Sequence, residues 1–193
     1  MSNIPEEVID KYRDINVDHD WWEFVYDNFT ERMKQVGIHV EKMMFSGFWS
    51  QGDGACFEGW VDDPDLFMIK HDLDEQYPYV YKTLEHDGTL NVVSCHSGNY
   101  YHAHSTTISV EVDDFDCLLR YDYETEIQHA VIDVLDEKLS QELPDFEQSC
   151  AEIFRDYMHE LYATLRKEYE YLTSDETVIE AIKANELYTP KAA

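Results

Sequence analysis

Two short stretches group side chains in patterns that could do chemistry. The first, FSGFWSQGDGACFEGW at residues 45–60, sets Ser50, Gln51, Gly52, Asp53 and Gly54 between aromatic flanks. Glycines at 52 and 54 permit positive φ, and their exposed N–H groups could cradle an anion. A phosphate loop of the Walker type, however, ends in Gly-Lys-Ser/Thr at the mouth of a helix. Here Asp53 stands where a phosphate would be repelled, and a strand follows. One aspartate, one glutamine and one serine are too few for a twelve-residue calcium loop. The stretch reads as a turn between two strands, one able to present a contact surface.

The second stretch is CHSGNYYHAHS, residues 95–105. With Gly98-Asn99 as a tight turn, Cys95 lies opposite His102, and His104 follows on the same face. Cys95, His102 and His104 would then offer three zinc ligands and an open fourth position. The same trio could serve as a cysteine nucleophile with its base, although no third, orienting group is visible. There is no second ligand pair at zinc spacing. Ile108, Val110 and Val112 continue the same face, so the plainer reading is two semi-buried histidines paired with carboxylates. The expectation is no metal, no cofactor and no catalytic residue, with the trio as the alternative site.

These stretches need elements to hold them. Residues 5–14 suit a short acidic helix. Asp18 or Asp20 can cap a stronger one in which Trp22, Val25, Phe29, Met33 and Val36 recur at helical spacing, with Gly37 placed to end it. IHVEKMMFSGFW and ACFEGWV read as strands, and residues 63–86 as helical and acidic outside, broken at Pro78. Residues 89–112 form a predicted hairpin. Beyond Asp122 the pattern is helical: one helix over about 124–141, and a longer one from Pro144. The longer helix carries Phe146, Cys150, Ile153, Tyr157, Leu161, Leu165, Tyr169 and Leu172 as one stripe. Thr173 and Glu176 suit a capping box for a last helix over 175–186. The expected fold is α+β: a small antiparallel sheet of about four strands packed against several helices. The expected organisation is a single domain over 1–193, with a mixed part over 1–122 and a helical part over 123–193 packed on it.

Charge restricts the possible partners. Forty-two acidic residues against 14 basic ones give a formal −28 over 193 residues, while 44% hydrophobic residues allow a real core. Such a chain is a poor direct ligand for nucleic acid or an anionic membrane, which demand a basic face. The carboxylates recur as Asp62, Asp63, Asp65, Asp72, Asp74 and Glu75, then Asp113, Asp114 and Asp116, then Asp122 and Glu124. Any one group suits a solvated face. Spread over a rigid fold, they can present repeated negative charge to a groove built for phosphates. Aromatic residues interleaved with acids, as in DHDWWEF, YPYVY and EYEYL, suit protein contact. Four dispersed cysteines without a CxxC pair, a start lacking the pattern of a secretory signal, and no apolar run of membrane length point to a reducing cytoplasm.

FSGFWSQGDGACFEG, YYHAH and YEYLTSDETVIEAIKANE, in that order over residues 18–187, resemble a family of phage, prophage and bacterial proteins. Its members are sometimes labelled antitoxins of a toxin–antitoxin stability system. The resemblance implies a small accessory protein acting inside a bacterial cell, and no catalytic residues come with it. The expected function is neutralisation of a basic-surfaced, nucleic-acid-handling host or toxin protein, such as a defence nuclease or restriction enzyme, by mimicry of nucleic acid. The alternatives are a metal-binding module or metal-dependent enzyme using Cys95, His102 and His104, and a soluble structural or regulatory phage protein.

Overall fold

In ACFEGWV the alternating residues Ala55, Phe57, Gly59 and Val61 share one face, and all four are buried. This is β2 (Ala55–Val61), the anchor of a four-stranded antiparallel sheet in the order β1-β2-β3-β4. The other strands are β1 (Ile38–Phe45), β3 (Leu90–His96) and β4 (Thr106–Val112). The computed structural model describes residues 4–85, 88–113 and 126–189, with only the backbone for 126–130. Its contacts divide the chain into two compact units, Met1–Asn28 with Tyr162–Ala193, and Phe29–Leu161. The architecture is α+β, as expected. α2 (Glu23–Lys34) and α6 (Glu126–Leu172) each contribute residues to both units.

In the larger unit, β1 meets β2 with Ile38 opposite Val61 and Phe45 opposite Ala55, the register shifting between Val40 and Lys42. The extra residue, Glu41, makes a bulge. Gly37 ends α2 at φ +78, where a Cβ would meet the Asp63 carbonyl oxygen at 2.5 Å. The link from β2 to β3 is three short helices, α3 (Pro64–Lys70), α4 (Leu73–Gln76) and α5 (Pro78–Glu85). Pro78 begins a helix because its missing N–H is not required there. Phe57 lies 5.6 Å from Phe29 of α2 and 5.6 Å from Phe154 of α6, and Phe154 lies 6.2 Å from Phe67 of α3. Four rings thus tie the sheet to three helices. The buried Ser94 hydroxyl donates to the Phe57 carbonyl at 2.7 Å.

α6 differs from the sequence reading: it runs unbroken for 47 residues with Pro144 inside it. Proline cannot donate to the Ser140 carbonyl, and that loss favours a break. Packing on both sides of the proline outweighs it. Before it, the Glu142 carboxylate accepts from the N–H groups of Tyr79 and Val80, capping α5 at 2.9 and 3.2 Å. After it, the Tyr77 hydroxyl meets the Asp145 carbonyl and the Ser149 hydroxyl, and Phe146 packs on the Tyr77 ring at 5.3 Å. The buried stripe is Phe146, Cys150, Phe154, Met158, Leu161 and Leu165. Ile153 and Tyr157 lie at its margin.

The smaller unit has its own core of Ile9, Val178 and Ile182, joining α1 (Glu6–Lys11) to α7 (Asp175–Ala184). Arg13 donates to the Thr173 carbonyl at 3.1 Å and Asn16 to the Leu172 carbonyl at 3.0 Å, covering the last carbonyls of α6. A cation there also suits the helix dipole. The cap of α7 is Ser174, accepting from Thr177 N–H, one residue beyond the expected Thr173. The Thr173 hydroxyl instead donates to the Tyr169 carbonyl.

Truncation at the ring cluster measures how far the fold depends on it. Phe154→Ala should cost about 3–5 kcal/mol, because the neighbouring rings cannot all collapse into the void. A urea midpoint changed by less than about 1 kcal/mol of equivalent stability would contradict this.

Candidate partner-binding surface

The opening loop supplies its own anion. Asp53 Oδ2 accepts from Trp49 N–H at 2.8 Å and from Ser50 N–H at 2.6 Å. Loop N–H groups that a bound phosphate would need are thus taken by a carboxylate of the same loop. Ser46 closes the strand ends, its N–H donating to the Gly54 carbonyl and its hydroxyl accepting from Gly54 N–H. Neither Gly52 nor Gly54 has positive φ. They are small for another reason: a Cβ on Gly54 would meet the Tyr101 carbonyl oxygen at 2.6 Å, and one on Gly52 the Tyr100 ring at 3.0 Å. The loop is a turn, pressed against the loop between β3 and β4.

That second loop corrects the hairpin geometry. β3 and β4 pair with His96 opposite Thr106 and Cys95 opposite Thr107, so Cys95 is not opposite His102. The connection covers residues 97–105 and contains a 3-10 turn at Ala103–Ser105. Ring stacking stabilises it: Tyr100 on His102 at 5.9 Å, and His102 on His104 at 4.9 Å. Cys95 is exposed on its strand, away from the stack's register. Among the described residues, no group of three or more His, Cys, Asp or Glu is arranged to hold a metal. Tyr100 and Trp49 stand exposed at this end of the sheet. The alternation YYHAH was the one sequence signal for the stack.

Cys56 and Cys150 are buried. Burial raises Cys56 to about 11 and Cys150 to about 12, so neither is a thiolate at neutral pH.

The acidic residues divide by how they are held. Asp63 caps α3, its Oδ1 accepting from Leu66 N–H at 3.0 Å. Asp72 joins α3 to α4 at φ +56, a conformation aspartate tolerates. Asp62, Asp65 and Glu75 are exposed, and Asp74 is half-buried. The Tyr81 phenol is pushed above its ordinary value, first by desolvation and then by the charges of Asp65, Glu85 and Asp74. Carboxylates from α3, α4 and α5 thus each oppose ionisation of this phenol. The ion pairs of described residues engage Asp10, Glu31, Glu160, Glu170 and Asp175, and none of the α3–α4 acids among the described residues. Asp113 is tied to the fold: its carboxylate accepts from Thr89 N–H at 3.2 Å. Asp114, Asp116, Asp122 and Glu124 lie outside the described residues.

One polar network had no sequence signal. His71 Nδ1 donates to the Phe67 carbonyl at 2.7 Å, and its Nε2 accepts from the Tyr157 hydroxyl at 2.8 Å. A neutral imidazole makes both bonds this way, whereas an imidazolium would reverse the second, its Nε2–H donating to the Tyr157 oxygen. Beside it, Arg32 binds both carboxylate oxygens of Glu160 at 2.5 Å and lies over the Tyr157 ring. Burial lowers the His71 pKa.

The fold and this surface define an acidic α+β protein with part of its charge set on the helical connections of the sheet. The chain belongs to the family described as a domain of unknown function, DUF8835, which matches residues 21–175. No curated protein and no solved structure matches it.

Two outcomes follow from this geometry. Asp53→Ala should destabilise the protein by about 2 kcal/mol, since two loop N–H groups lose a charged acceptor, and Asp53→Asn should cost clearly less. Equal midpoints for the wild type and Asp53→Ala in urea denaturation would remove the carboxylate from its assigned role. For His71, the folded pKa lies below the unfolded 6.5. Its stabilisation is therefore complete above that value and lost as pH falls through the folded pKa. Between about pH 7.5 and 5, His71→Gln should lose less stability than the wild type. An identical pH dependence of the two proteins would count against the network.

Proposed function

We propose that the chain is a binding protein that neutralises a basic, nucleic-acid-handling protein, its carboxylates occupying a groove meant for phosphates. The observation that carries this reading is the unneutralised acidic array on α3–α4. Asp62, Asp65, Asp72 and Glu75 are exposed, fixed on short helices and their ends, and without a Lys or Arg partner among the described residues. Mutual repulsion among such groups opposes folding, whereas a cationic groove would relieve it. Asp63 and Pro64 fix the helix start, so the charges are presented on ordered backbone and not on a tail. Long-range attraction from −28 would steer the encounter, and exposed rings such as Trp49 and Tyr100 would add desolvated contact. Action in the cytoplasm of a bacterial host is part of this proposal. No helix among the described residues is long and apolar enough to cross a membrane.

The test begins with affinity capture from a bacterial lysate and a binding titration of the captured protein. Raising NaCl from about 50 to about 300 mM should weaken the complex by about tenfold or more. Duplex DNA or RNA should compete. Converting Asp62, Asp65 and Glu75 together to Lys should reduce affinity by at least the same factor, with the fold verified by circular dichroism. Affinity indifferent to salt, to nucleic acid and to the triple reversal would leave an apolar interface and overturn mimicry.

A further inference from the structure

The two edges of the sheet are not alike. β1 is guarded by its bulge and by the adjacent charges Glu41 and Lys42, devices that discourage pairing with another strand. β4, TTISVEV, has no bulge, no proline and no lysine, and among the described residues no strand pairs with its outer side. Asp113 N–H donates to the Thr89 carbonyl at 3.1 Å, continuing the ladder with β3. Strand alternation then turns the N–H and C=O groups of Thr106, Ile108, Val110 and Val112 to the open edge. Ile108, Val110 and Val112 are only half-buried, so the core at this edge is incompletely covered.

We propose that β4 pairs antiparallel with β4 of a second copy of this chain, joining two four-stranded sheets edge to edge. The strand is complementary to itself about a two-fold axis at Ser109. The register that overlaps all of Thr106–Val112 sets Ile108 opposite Val110 of the second copy, each presenting the edge-facing groups that such a pair exchanges. It sets Thr107 opposite Glu111, a hydroxyl donor facing a carboxylate, and places no two acids directly opposite within the strand. Ser109 faces its own counterpart with Cα atoms about 4.5 Å apart, as in a pair not bonded through the backbone. The half-buried row Ile108, Val110, Val112 gains an apolar row beside it. Net charge works against association of two like chains, so this dimer strengthens as salt screens it. That dependence is opposite in sign to the complex with a basic partner, and the two readings stand or fall separately.

The experiment is sedimentation equilibrium of the whole chain at about 50 and about 500 mM NaCl. The expected result is a monomer–dimer equilibrium whose dissociation constant falls by about tenfold with salt. Val110→Pro removes an edge N–H that no described residue accepts, a position where an edge strand accepts proline, and should abolish the dimer. Ser109→Glu, on an exposed residue, should weaken it by at least about tenfold by facing two carboxylates across the axis, and it decides the matter if the proline variant misfolds. In a Cys95→Ser, Cys117→Ser background, Ser109→Cys should form an intermolecular disulfide under mild oxidant. A monomer at every concentration and salt overturns the proposal. So does a dimer that Ser109→Glu leaves untouched and that the Ser109→Cys variant fails to cross-link.

Discussion

Phe57 and Phe154 stack at 5.6 Å with their planes 27° apart, and both are fully buried. Through Phe29 and Phe67 the same cluster reaches α2 and α3. A chain with a formal charge of −28 expands unless something short-ranged and non-ionic opposes the repulsion. Ion pairs cannot supply that opposition where acids outnumber bases threefold, and exposed pairs such as Arg32–Glu160 contribute little in any case. Aromatic burial contributes more per residue, and it does not depend on charges that salt screens or pH removes. The helices are therefore free to carry acids on their outer surfaces because their inner surfaces meet on these rings.

A related logic governs the few carboxylates that are used internally. Asp53, Asp63, Asp113 and Glu142 each accept backbone N–H groups, at a loop, a helix start, a strand end and a second helix start. Negative charge is favoured at such places, since the donors there have no partner in regular structure. Part of the excess acidity is thus structural. Other acids make no such bond: Asp62, Asp65 and Glu75 around α3 and α4 stand exposed, as do acids on the other helices.

Local periodicity made much of the fold legible. Val25, Phe29 and Met33 repeat along α2 and are buried, and the alternation of β2 fixes which face holds Phe57. Pro78 marked a helix boundary, as a proline commonly does. Pro144 did not, because contacts from Tyr77 and to Tyr79 hold the helix from residues more than sixty positions away. No local rule contains that information. The loop at 97–105 escaped for the same reason, since its shape depends on Gly52 and Gly54 of another hairpin. Among the candidate site residues, acidic identity was readable directly. Whether each acid was capping a helix, bridging a strand end or standing free was not, because that depends on where distant backbone donors arrive.

The smaller unit joins residues before Asn28 to residues after Tyr162, through Ile9 with Val178 and Arg13 with Thr173. On a ribosome its first half emerges without its second, and the whole of Phe29–Leu161 must be made in between. At about 5–20 residues per second, that is a wait on the order of ten seconds. During it, Ile9 and its apolar neighbours have no native surface to cover them. The high negative charge of the chain then acts in time as well as in space: it keeps nascent chains apart while one part of each waits for the rest.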